Sequence, residues 1–174
     1  AEDRHILEEC AEMLRGHGIA SAHMAKMSPE RIAMLRELRN NGDLPIRIST
    51  MIDGSVLDYD DLAIEPFRDP EAWCSWGTIK FFADGALGSL GGLVLNTYRD
   101  GSDGLEVYSA EDFERIFPRL TGQGWQLAVH AIGDRAARNV LDGFAACPAE
   151  ERQGLRPRLE HAQMMATEDI ERMP

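Results

Sequence analysis

Four ionisable side chains stand inside or just beyond short apolar runs: Lys80 and Asp84 around 77–82, His130 at the end of 125–130, and His161 at the end of 158–161. His23, towards the end of 19–24, is a fifth. Two imidazoles on neighbouring strand ends can converge on one divalent cation, because imidazole is a borderline ligand that suits zinc, iron or nickel. A lysine inside an apolar strand is unusual, because burying an ammonium group is costly. Such a lysine pairs with a carboxylate, deprotonates or is modified. Carbamylation would make Lys80 an anionic oxygen donor able to bridge two metal ions. Each feature also has a plainer reading. A histidine at a strand end is commonly a hydrogen-bonded core residue, Lys80 on an edge strand keeps its head in solvent, and Asp84 and Asp134 satisfy loop amides and a helix N-terminus.

The other motifs carry less. Gly85, Gly88, Gly91 and Gly92 suggest a phosphate cradle, but no Gly-Lys-Ser/Thr follows, which excludes a Walker loop. Their commoner meaning is positive φ or a close backbone approach. His5 and His17 fall on a helix and in a turn. Asp58-Tyr59-Asp60-Asp61 reads as a solvated loop and lacks the EF-hand spacing. Met24, Met27, Met34 and Met51 read as core filler. Cys10, Cys74 and Cys147 have no basic neighbour in sequence, which argues against a cysteine nucleophile. No Gly-x-Ser-x-Gly elbow is present.

The elements that must position these residues alternate. Ile6, Leu7, Cys10, Met13 and Leu14 give 3–15 a helical stripe, stopped by Gly16 and Gly18. A strand over 19–24 follows. Ser28-Pro29-Glu30 reads as the start of a second helix, which Asn40-Asn41-Gly42 ends. A strand over 44–51 leads into an irregular stretch over 53–76. The strand over 77–82 runs into the glycine-rich segment. Ser109 to Asp112 reads like a capping box for a helix in which Pro118 acts as a kink or an early stop. The strand over 125–130 precedes a helix from Gly133-Asp134 to about Ala146. Residues 148–154 read as a polar connector, 158–161 as the last strand, and Thr167 as the start of a final helix.

Five strands alternating with helices imply parallel βα units, in an open doubly wound sheet or in part of a (β/α)₈ barrel. In both, ligands bind at the C-terminal ends of the strands. A complete barrel takes roughly 200–250 residues, more than the 174 in this chain. The formal charge is −12, from 18 basic and 30 acidic residues, which argues against nucleic acid and anionic membrane surfaces. No run approaches the roughly 20 apolar residues of a membrane span. No secretory signal is visible, and three widely spaced cysteines fit a reducing compartment, so a cytoplasmic location is expected.

Three motifs then resemble consecutive signatures of the metal-dependent amidohydrolases. They are Lys80-Phe81-Phe82-Ala83-Asp84-Gly85-Ala86-Leu87-Gly88-Ser89, His130-Ala131-Ile132-Gly133-Asp134-Arg135-Ala136 and Arg158-Leu159-Glu160-His161-Ala162-Gln163. The chain is most similar to amidohydrolase family 3, the YtcJ-like branch that includes N-substituted formamide deformylases. Gly18-Ile19-Ala20-Ser21 and Leu44-Pro45-Ile46-Arg47 resemble that branch's earlier strands.

The resemblance implies a partial (β/α)₈ TIM barrel, about five parallel strands with flanking helices, corresponding to strands two to six. It implies that His130 and His161 are metal ligands at the ends of strands five and six. Lys80 corresponds to the strand-four lysine that is carbamylated in many members. It implies one or two divalent ions, most simply zinc, a small amide-type substrate, and hydrolysis of a non-peptide C–N bond by a metal-activated water. Asp84, Asp134 and Glu160 lie in the motifs without a ligand role. The family's first-strand His-x-His and strand-eight aspartate are absent, as is its β-sandwich. Ala20 stands where threonine is common, His23 where an acidic residue is expected, and Leu90-Gly91-Gly92 departs from a small polar-Ala pattern. The expectation is one fragment, residues 1–174 of a hydrolase barrel lacking its N- and C-terminal parts, inactive alone and prone to self-association through open strand edges. The competing readings are a metal-free α/β scaffold and an anion-binding module at the glycine-rich loop.

Overall fold

Helical crossovers and strands follow one another along most of the chain, which a computed structural model describes over residues 2–173. The order is α1 (Glu2–Gly16), β1 (Ser21–Met27), α2 (Arg31–Asn41), β2 (Arg47–Asp53), a 3₁₀ turn (Gly54–Val56), β3 (Cys74–Phe82), a 3₁₀ turn (Leu87–Ser89), α3 (Ala110–Gly122), β4 (Gln126–Ala131), α4 (Asp134–Ala146), α5 (Ala149–Leu155), β5 (Arg158–His161) and α6 (Thr167–Ile170). The five strands form one sheet in sequential order, β1-β2-β3-β4-β5. β1 is parallel to β2, and β4 to β5. A doubly wound sheet reverses its strand order at a switch point, whereas a barrel does not. The fold is therefore a partial (β/α)₈ barrel with flanking helices.

The chain divides into two compact units, one running to Leu57 with Leu62–Thr78, the other comprising Asp58–Asp61 and the residues from Ile79 onward. In the first unit, α2 buries Ile32, Leu35 and Leu38 at helical spacing. It starts after Glu30, two residues later than the Ser28 cap expected, and no side chain caps it. Gly42 ends it at φ 75°, a left-handed conformation that glycine adopts without cost. β1 and β2 also start later than the apolar runs suggest, because the ladder begins at Ser21↔Arg47. His23 consequently lies inside β1, paired with Ser49, and not at the strand end. The C-terminal edge of β1 instead carries Lys26, whose ammonium sits 3.0 Å from the Asp53 carboxylate. Trp76 packs between Phe67, at 4.7 Å between ring centroids, and the Arg36 guanidinium, 5.0 Å over its ring.

The second unit is built on a run of aromatic rings. Phe113 stacks on Phe117 at 4.7 Å and Phe117 on Phe144 at 5.4 Å, while Phe81 meets Phe117 at a tilt, 5.6 Å between centroids. α3 and α4 meet so closely that a Cβ on Gly143 would stand 2.5 Å from Phe113 Cβ. The capping box at the start of α3 is present: the Asp112 N–H donates to Ser109 Oγ at 3.2 Å, and the Ser109 N–H to the Asp112 carboxylate at 3.2 Å. Pro118 lies inside α3 without ending it. The expected connector over 148–154 is instead largely the short helix α5, which buries none of its residues. α6 is tied down by Asp169, 1% exposed, which accepts from Arg138 Nε and Arg172 Nη1, both at 2.9 Å. Cys10 is exposed, whereas Cys74 and Cys147 are buried, and all three are unpaired thiols. Among the described residues no helix is long and apolar enough to cross a membrane.

Candidate metal centre

β3 sends Phe81 into the aromatic core and, one residue either side, Lys80 and Phe82 to the opposite face. Lys80 is 5% exposed, so it is not an edge lysine with its head in solvent. Its ammonium donates to the Phe81 carbonyl at 2.9 Å and lies 4.2 Å over the Phe82 ring. Burial pulls its pKa down to about 8; the Glu160 carboxylate opposes that shift and Arg158 adds to it.

His130 is the penultimate residue of β4, in register with Glu160 on β5. Its ring is 5.2 Å from Phe82 and 4.6 Å from His161, the two imidazoles meeting edge to face at 74°. Nε2 lies 3.3 Å from Asp84 Oδ1, near enough for an ion pair but not aligned as a hydrogen bond, so it is buried without a hydrogen-bond partner. Burial holds the imidazole below its ordinary pKa, with His161 and Lys80 adding to the effect and the Gly85 backbone and Asp84 opposing it. A neutral imidazole with a free lone pair is the form that ligates a metal.

His161 reaches this position against the pleat. Strand alternation would put it on the face opposite Glu160. Instead His161 and Ala162 take φ values of 72° and 45°, two consecutive left-handed residues without a glycine. Each costs about 1–2 kcal/mol, and the turn brings the His161 ring beside His130. No sequence signal marks it.

Asp84 and Asp134 are loop anchors, as their plainer reading has it. The buried Asp84 carboxylate accepts from the N–H groups of Leu93 at 2.9 Å, Ile132 at 3.0 Å and Gly133 at 2.7 Å. Asp134 accepts from Leu95 and Arg135 at 2.8 and 2.9 Å. Glu160 pairs with Arg158 at 2.7 Å. The glycine-rich loop uses close approach: Gly85 N–H donates to Gly91 O at 2.9 Å, and a Cβ on Gly91 would stand 3.1 Å from Gly85 Cα. Its amides at Gly85, Leu90, Gly91 and Leu93 are all given to protein acceptors. The Leu93 carbonyl takes the Arg135 and Ala136 N–H groups at the start of α4, at 3.2 Å each. This bonding leaves those amides nothing to offer a phosphate. His23 lines a cavity of about 190 Å³ in the first unit with Ser21, Arg47, Ser49 and Trp73.

The donors that gather are thus Lys80, His130 and His161. Among the described residues no three His, Cys, Asp or Glu side chains form a metal-ligand cluster. Two imidazoles, an unpartnered buried Nε2 and a desolvated amine fit part of a divalent-metal site, where three protein ligands and an open position are usual.

The whole chain, residues 1–174, matches the sequence model of the amidohydrolase family. It is 33% identical over 133 residues to the putative amidohydrolase YtcJ of Bacillus subtilis, covering 75% of this chain and 24% of YtcJ. It is 35% identical over 109 residues to the Arabidopsis thaliana protein LONG AFTER FAR-RED 3, covering 61% of this chain and 19% of that protein. Crystal structures of uncharacterised metal-dependent hydrolases from Pyrococcus furiosus and Pyrococcus horikoshii OT3 superpose with TM-scores of 0.80 and 0.79 at 27% identity. Each superposition covers 97% of this chain and 35% or 34% of theirs. The chain therefore spans about a quarter or less of the curated relatives and about a third of the solved structures. With three ordered motifs, sequential strands and a match along its full length, the chain belongs to the amidohydrolase family, in its third, YtcJ-like branch.

Proposed function

We propose that this chain is the central segment of a metal-dependent hydrolase barrel that cleaves a non-peptide C–N bond in a small amide or cyclic amide. The observation that carries the reading is the meeting of His130 and His161, rings 4.6 Å apart, with a buried Nε2 that has no hydrogen-bond partner. Lys80, His130 and His161 hold the divalent ion, most simply zinc. Such an ion supplies activation of water near neutral pH and polarisation of the scissile carbonyl.

The chain's own residues do the rest. Burial keeps His130 neutral and its lone pair available. Lys80, with a pKa of about 8, is partly deprotonated at pH 7–8. Its neutral amine can add to carbon dioxide, forming one N–C bond and releasing one proton, to give a carbamate with oxygen donors. Further ligands come from parts of the parent beyond this segment. The three free thiols suit a cytoplasmic enzyme.

The test is metal content and amidase turnover of the full-length protein beside Lys80→Ala, His130→Ala and His161→Ala. The expected result is one or two ions in the wild type, with each substitution abolishing metal and turnover together. A metal-free parent, or substitutions that alter only stability, would make these three residues structural.

A further inference from the structure

Resting on that metal-centre reading, we infer that Asp84 is the positioning residue of the site: one buried carboxylate locks the His130 imidazole to both the loop after β3 and the turn before α4. Three observations carry this. First, the side chain is fully buried, yet among the described residues no lysine or arginine pairs with it; its lone pairs are spent on the N–H groups of Leu93, Ile132 and Gly133. A carboxylate held by backbone donors from two separate segments fixes their distance from each other. Second, those segments flank the ligand. Ile132 and Gly133 directly follow the β4 strand that carries His130, and Leu93 caps α4 through its carbonyl. Third, Oδ1 also stands 3.3 Å from His130 Nε2, the nitrogen with no hydrogen-bond partner of its own.

Nε2 thus keeps the lone pair that the ion would take, and the carboxylate beside it fixes where the ring stands. Carboxylates that orient metal-binding histidines commonly matter ten- to hundredfold in metal affinity. The carboxylate is not itself a ligand, because its oxygens already face backbone hydrogens. Asparagine at this position would present an NH₂ group to N–H donors and keep only one acceptor oxygen.

The experiment uses the full-length protein, stripped of metal and titrated with Zn²⁺ against a chromophoric chelator, beside Asp84→Asn, Asp84→Glu, Asp134→Ala and His130→Ala. Asp134→Ala removes acceptors from Leu95 and Arg135, so it loosens the same loop without touching His130. The expected result is a ten- to hundredfold weaker zinc affinity for Asp84→Asn and at least a tenfold loss for Asp84→Glu. Asp134→Ala should stay within threefold of the wild type while lowering the unfolding temperature. If Asp84→Asn does not fold, Asp84→Glu decides. An Asp84 variant that binds zinc like the wild type, or an equal loss in Asp134→Ala, overturns the positioning role. A wild type that binds no zinc, or a His130→Ala variant that binds it unchanged, overturns the metal-centre reading itself.

Discussion

Lys80 shows how one side chain can be costly to the fold and useful to the site. Its ammonium is buried over Phe82, with the Phe81 carbonyl as its hydrogen-bond acceptor, so the folded state binds its proton less tightly than the unfolded chain. The unfolded state therefore carries more protons between about pH 8 and about pH 10.5, and stability rises with pH across that window. Below pH 8 the penalty is fully present, at most about 3 kcal/mol. Lys80→Met should accordingly stabilise the metal-free full-length protein at pH 7, by about 1–3 kcal/mol, and gain little above pH 10.5. Urea denaturation at the two pH values measures it; equal stabilisation at both would remove the charge from the explanation. The three residues that gather were legible from their types and their places on strand ends. His23 was misplaced, because an apolar run does not say where a ladder begins. The left-handed pair His161 and Ala162 was illegible, since neither residue type advertises positive φ.

Local chemistry marks some element boundaries and misleads at others: α2 starts after Glu30, not at the Ser28 cap, whereas β5 spans the expected 158–161. The Ser109 to Asp112 capping box and the Gly42 stop are decided within one helical turn. α5 has no apolar stripe and buries nothing, so periodicity could not separate it from a connector. β1 and β2 are shifted because Ala25, Lys26 and Met27 extend β1, and Ile52 and Asp53 extend β2, past the expected ends at 24 and 51. The α3 and α4 packing leaves no room for a further methyl group at Gly143. Gly143 carries no Cβ where Phe113 and Phe117 approach to 2.5 and 2.8 Å. Gly143→Ala gains helix propensity of about 1 kcal/mol but forces two stacked rings apart. A net loss of about 1–3 kcal/mol is expected, read by thermal unfolding of the full-length protein. A stabilised variant would show that the helices can slide apart freely.

At the scale of the whole molecule, the segment is defined by what it shares with longer proteins. Sequential strand order gives the barrel class, and the chain spans about a third of the solved hydrolases it superposes on. The 174-residue segment prepared alone carries two imidazoles and Lys80, one ligand short of a usual site unless the lysine is modified. Calorimetric titration should show zinc binding at least a hundredfold weaker than in the full-length protein, and size-exclusion should show association through β1 and β5, the outer strands of its sheet. Tight stoichiometric zinc on a monomer would locate the complete site inside this segment.

The distribution of the three thiols has a use of its own. Only Cys10 meets solvent, while Cys74 lies buried in one compact unit and Cys147 in the other. Burial also pushes both hidden thiols above their ordinary pKa, which slows their alkylation further. The native chain therefore accepts one adduct readily, and the second and third arrive only as its two halves breathe. Mass spectrometry of the modified peptides turns the cysteines into separate clocks, timing the opening of each half without an added probe.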